Sequence, residues 1–140
     1  MLVHDDIFCW EGFGGKLRLG SGKCRLRIFD LGDSGKKWLA HLKPIIVVVS
    51  DIPESKLSAK SCISHIATSV TKKFNIDPQR MVLLEYYASV TYGAKDEHHI
   101  PERYDAVDFI WHGDKAIHPK WRTLKPPLLD IVKNEMKASL

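Results

Sequence analysis

The clearest hydrophobic pattern in the chain is an uninterrupted aliphatic run at residues 45–49, directly after Pro44. A β-branched run without polar alternation is typical of a central strand covered on both faces. Apolar residues then recur at steps of three and four over residues 58–74, which predicts an amphipathic helix. Residues 81–88 are predicted to form the next strand. The two strands are parallel if the helix crosses over the sheet; the alternative is an antiparallel sheet in which the second strand pairs elsewhere.

A different pattern covers residues 16–28, where apolar and basic positions alternate on either side of Gly20-Ser21-Gly22. Alternation with a period of two indicates strands, and the glycines permit the positive φ angles of a turn. We therefore predict a β-hairpin with one apolar face and one basic face. The basic face consists of Lys16, Arg18, Lys23, Arg25 and Arg27. Like charges on adjacent strands repel by roughly 0.2–1 kcal/mol per pair, so anions, nearby carboxylates or hydration should compensate them.

Three further elements complete the pattern. Residues 7–10 and 104–111 are predicted to be strands, and Pro126 and Pro127 can open a closing helix that runs to about residue 137. The expected order is β-β-β-α-β-β-α. The fold class is α+β, a single domain over residues 1–140, with a roughly five-stranded mixed or antiparallel sheet and two helices packed on it.

Composition agrees with an ordinary globular domain, since 44% of the 140 residues are hydrophobic and 27% are charged. The net charge is +4, and it is unevenly distributed. Residues 16–43 carry eight Lys/Arg against two Asp, and residues 115–140 carry six against two acidic residues. The rest of the chain is acidic. The basic segments either form a patch that attracts polyanions or pair with the acidic remainder.

The cysteines and the first residues of the chain give indications of the cellular compartment. Cys9, Cys24 and Cys62 are an odd number without a CxxC pair, which favours a reducing environment. The first residues lack the basic start and apolar core of a signal peptide, and no apolar run approaches the roughly 20 residues needed to span a bilayer. We expect a soluble cytoplasmic protein without membrane contact, and no motif calls for a cofactor.

The basic hairpin is the first candidate site. Its five cations can contact nucleic-acid phosphates or an acidic protein surface, or simply form a solvated face. Trp121 and Arg122 lie in the second basic segment and can frame a groove at a binding surface. The leading interpretation is a small binding domain rather than an enzyme.

A second candidate site combines Glu85, Asp108 and His112. Two carboxylates within otherwise apolar strands, close to a histidine, suit general acid–base chemistry or a divalent cation if they converge. The alternative function is therefore a metal-assisted hydrolase or nuclease. No histidine or cysteine spacing matches a metal-binding signature, so no metal ligands are assigned. A third possibility is an adaptor or inhibitor that binds an acidic protein surface.

Overall fold

The computed structural model describes residues 1–14, 17–35, 43–50, 63–86, 109–117 and 134. Within this part of the chain there are six strands and one α-helix of more than one residue. In chain order they are β1 (Leu2–Gly14), β2 (Leu17–Asp30), β3 (Ile45–Ser50), α1 (Ile63–Phe74), β4 (Met81–Tyr86), β5 (Phe109–His112) and β6 (Lys115–Ile117). The strands form one sheet in the order β1-β2-β3-β4-β5-β6.

The sheet is mixed, as one of the two expected arrangements required. β3 and β4 are parallel, while every other adjacent pair of strands is antiparallel. α1 lies between β3 and β4 in the chain, so the alternative in which β4 pairs elsewhere is wrong. The closing helix predicted at residues 126–137 falls outside the described residues, apart from Asn134, and so do residues 104–108 of the predicted strand.

β3 is the central strand that the aliphatic run predicted. All six of its residues are buried, and it is hydrogen-bonded to a neighbour on each side. One of its faces packs under α1 through Val47 and Val49, which join a core that also contains Ile66, Ala67 and Val70 of the helix. The predicted amphipathic periodicity of the helix therefore matches the side that it buries.

α1 ends in a motif that its sequence encodes. Asn75 adopts a φ of 52°, a left-handed conformation that asparagine tolerates better than most residues. The amide of Ile76 then donates to the carbonyl of Thr71 at 3.0 Å, which satisfies one of the last helical acceptors. Lys72 and Lys73 occupy the last turn, where positive charge suits the helix dipole.

The predicted hairpin within residues 16–28 is wrong in its layout. β2 is one continuous strand, and its partner is β1, whose predicted extent of residues 7–10 was much too short. Gly22 does not turn the chain but lies directly opposite Trp10. The indole atom Cζ2 of Trp10 is 3.0 Å from the position that a Cβ on Gly22 would take. The glycine therefore provides space for an aromatic side chain on the neighbouring strand.

Among the described residues, no helix combines the length and the apolar character required to cross a membrane.

Candidate binding surface

β1 is an edge strand of the sheet, and one of its faces is open to solvent. Asp5, Ile7 and Cys9 are exposed, and we call these three residues the exposed strip. Between and beyond them, Phe8 and Trp10 point to the other face and are buried in the core under α1. Ile7 is 56% exposed, so its aliphatic side chain is available for contact.

The backbone of the exposed strip also points outward. The amide of Ile7 donates to Oδ1 of the preceding Asp6 at 2.7 Å. Because the N–H and C=O groups alternate in direction along a strand, the amides of Asp5 and Cys9 also point away from β2. The pairing register with β2 is uninterrupted from His4 to Gly12, so no bulge disturbs this alternation. Asp6 thus occupies one of the donors that an added strand would use.

Arg25 belongs to the predicted basic face, but a carboxylate of β1 already binds it. Its Nε donates to Asp5 Oδ1 at 2.9 Å and its Nη2 to Asp5 Oδ2 at 2.8 Å. This parallel two-bond geometry is the strongest form of an arginine–carboxylate pair. The two side chains are 19% and 27% exposed, so the charge of Arg25 is largely compensated within the protein.

Arg27 and Lys23 lie on the same face of β2 as Arg25, yet their environments are opposite. Arg27 is 1% exposed and keeps an interaction with another group of the chain, so its charge belongs to the interior. Lys23 is exposed beside Cys9 on the neighbouring strand. Lys16 and the side chain of Arg18 fall outside the described residues. The five predicted cations therefore do not form one uniform solvated row.

Glu85 is fully buried, on the face of the sheet that α1 covers. It pairs with Val49 of β3 and with Phe109 of β5, and it keeps an interaction with another group of the chain. Burial is the largest cause that raises the pKa of the Cys24 thiol, on the same face, to about 12. The negative charge of Glu85 raises this pKa further, and Cys9 makes the smallest contribution. Cys24 is thus a protonated core side chain at neutral pH.

His112 lies on the opposite face of the sheet from Glu85. It pairs with Val82, which is three residues from Glu85 along β4 and therefore points the other way. Nε2 of His112 is 2.9 Å from the carbonyl oxygen of Gln79, and it must donate because a carbonyl only accepts. This hydrogen bond ties β5 to the turn before β4.

The hydrolase site that the sequence suggested is thus not assembled by the residues that can be compared. Glu85 and His112 do not face each other, while Asp108, Trp121 and Arg122 lie outside the described residues. No group of three potential metal ligands occurs among the residues that the structure describes.

Asp5, Asp6 and Ile7, which give β1 its exposed surface, are not among the candidate site residues predicted from the sequence. Phe8 and Trp10 are two residues apart and so share one face of an extended chain, which is a weak strand signal. It gives no indication that β1 is an edge, because strand order is a property of tertiary structure.

The chain matches no protein-family model, no curated protein and no solved structure.

Proposed function

We propose that this protein is a binding domain that accepts an extended, cationic polypeptide segment along β1. The observation that carries the proposal is the outward-facing amide of Ile7 within an exposed edge strand. A strand edge of this kind is a template for an additional strand, whose main chain supplies affinity and whose alternate side chains supply specificity.

The charge of β1 favours a cationic partner. β1 contains Asp5, Asp6 and Glu11 and no lysine or arginine, and of these three carboxylates Asp5 is already paired with Arg25 of β2. Antiparallel pairing with a second copy of β1 would bring two acidic strands together, which is unfavourable. A partner with lysine or arginine near Asp6 would instead draw the carboxylate away from the Ile7 amide. A main-chain carbonyl of the partner can then accept the hydrogen bond from the Ile7 amide.

The exposed strip supports an apolar contact beside the main-chain hydrogen bonds. Ile7 and Cys9 are two residues apart on one face, so an aliphatic side chain on an added strand can pack against them. The adjacent Asp5–Arg25 pair is already neutral and holds the flank of the surface in place.

The test uses a synthetic nonapeptide of alternating lysine and valine, with an alternating glutamate–valine peptide as its matched control. NMR titration should shift the amides of Asp5, Ile7 and Cys9 with the lysine peptide and leave them unchanged with the glutamate peptide. Ile7→Pro removes the outward donor without removing a β1–β2 hydrogen bond, so it should abolish binding. Ile7→Val keeps the donor and should retain binding. Equal binding of both peptides, or full binding by folded Ile7→Pro, would contradict the proposal.

A second candidate function is contact with a polyanion, and the exposure of Lys23 favours it. The segment of residues 16–43 has a net charge of +6, although Arg25 and Arg27 are engaged within the protein. Binding to a single-stranded oligonucleotide should then fall steeply with salt, and Lys23→Glu should reduce that slope. Affinity that is insensitive to salt and to Lys23→Glu would eliminate this candidate.

A further inference from the structure

A cleft opens where the pairing of β1 and β2 is interrupted near the start of the chain. Leu2 pairs with Phe29 and His4 with Ile28, so Val3 is an extra residue that forms a β-bulge. Bulges bend a strand and redirect its side chains, and they are frequent beside binding sites. Here Val3 and His4 both line a cleft of about 300 Å³ that reaches to the C-terminal end of α1.

The floor of the cleft is apolar and firmly held. Ile28 of β2, Ile45 of β3 and Ile76 after α1 contribute its base, and each is at most 9% exposed. Phe74 forms a wall, with its ring centroid 4.8 Å from that of His4. A volume near 300 Å³ is at the lower end of the range for small-molecule sites, so it suits a compact ligand.

Two polar groups at this cleft retain hydrogen-bonding capacity. Asp30 lines the cleft, and its Oδ1 accepts from the amide of Gly32 at 3.0 Å and lies 4.0 Å from Nη2 of Arg80. Oδ2 of Asp30 accepts no hydrogen bond from the described residues, and its side chain is 44% exposed. The ring nitrogens of His4 likewise form no hydrogen bond within the described part of the chain.

We propose that this cleft binds a small organic cation, a primary amine on a compact aromatic or branched apolar body. The apolar body would rest on the three isoleucines, and the ammonium group would donate to Oδ2 of Asp30. A charged donor and a carboxylate form a stronger hydrogen bond than two neutral groups do. His4 provides an aromatic face at the same cleft and a second polar atom for orientation. This site is separate from the exposed strip, and its test does not depend on the strand-addition proposal.

The experiment compares three probes with the same phenyl body: 2-phenylethylamine, 2-phenylethanol and 3-phenylpropionate. Methyl NMR spectra report binding through Ile28, Ile45 and Ile76. The amine should shift these methyl signals most strongly, and the carboxylate least. Binding of the carboxylate or the alcohol as tightly as the amine would overturn the proposal, as would shifts confined to other methyl groups.

Two pairs of variants locate the site. Asp30→Asn keeps the acceptor for Gly32 and should weaken the amine about tenfold without changing alcohol binding, whereas Asp114→Asn on the exposed β5–β6 turn should have no effect. Val3→Phe should fill the cleft and block all three probes, while Thr68→Phe at an exposed position of α1 should block none. Unchanged amine affinity in Asp30→Asn would overturn the assignment. Should a variant fail to fold, the probe series on the unmodified protein still decides the question.

Discussion

Side-chain burial varies differently along the strands at the centre and at the rim of this sheet. In the central pair β3–β4, position along the strand hardly affects burial, because both faces are covered and every described side chain is buried. In the rim pair β1–β2, neighbours two residues apart on one face have opposite environments. Arg27 is buried, Arg25 is partly exposed and Lys23 is exposed. An apolar composition is therefore enough to predict burial at the centre, whereas burial at the rim depends on which parts of each strand the rest of the chain covers.

The largest difference between the two regions should appear when side chains are truncated. Leu83 is 0% exposed in β4, so Leu83→Ala should lower the free energy of unfolding by about 2–5 kcal/mol through lost burial and a residual cavity. Ile7→Ala on the rim should cost within about 0.5 kcal/mol, because Ile7 is already mostly in water. Urea unfolding followed by circular dichroism measures both. Equal losses would mean that the exposed strip is covered in solution.

The two arginines test the comparison within a single face. Arg27→Ala should lower the free energy of unfolding by about 3 kcal/mol, because it removes a buried side chain together with the interaction that this side chain makes within the chain. Arg25→Ala should cost at most about 1 kcal/mol, since its pair with Asp5 is partly solvated. Denaturant titration of the two variants gives the difference directly. A smaller loss for Arg27→Ala than for Arg25→Ala would reverse the assignment of interior and surface charge.

Gly22 and Trp10 form the strand contact that lies where a turn was expected. In Gly22→Ala the new Cβ would lie 3.0 Å from the Trp10 ring, which is itself only 6% exposed and has little room to move. We expect a loss of about 1–3 kcal/mol in unfolding free energy, with a changed tryptophan emission spectrum. Were Gly22 the turn residue that the sequence suggested, the spectrum would stay unchanged.

These differences also explain which parts of the fold the sequence predicts. The aliphatic run and the three- and four-residue periodicity are local signals of burial, so they identified β3 and α1, whereas the parallel pairing of β3 with β4 was one of two arrangements that the sequence left open. Gly22 gave a misleading local signal, because its role depends on Trp10, twelve residues earlier in the chain. A glycine that makes room for a neighbouring ring and a glycine that permits a turn look the same in one dimension.

The candidate sites were less predictable than the fold, for a related reason. Arg25 and Arg27 follow the same alternation, and nothing in that pattern shows that Asp5 binds one while the interior takes the other. Both Glu85 and His112 lie in strands, but only the pairing register reveals that they point to opposite faces. The cleft at Val3 depends on a bulge, which is a mismatch between two strands and has no signature in either strand alone.

Cys9 is exposed and Cys24 is buried, so the two thiols should differ in their chemistry. The effect of this difference on stability at neutral pH should be the smallest of those expected. Burial raises the pKa of Cys24 from 9.0 to about 12 in the folded protein, so the folded state holds its proton more tightly than the unfolded state does. The resulting stabilisation is complete below pH 9 and is lost as the pH rises toward 12, by up to about 1.4 kcal/mol per pH unit. Cys24→Ala should lack this pH-dependent loss, and the difference between the two unfolding profiles removes the contribution of other groups that titrate in the same range.

At pH 8, iodoacetamide should modify the exposed Cys9 while leaving Cys24 intact in the folded protein, as peptide mapping by mass spectrometry can establish. Equally fast alkylation of both thiols would mean that the β1–β2 pair opens readily. The buried face of this pair would then be less protected from solvent than the buried strands at the centre of the sheet.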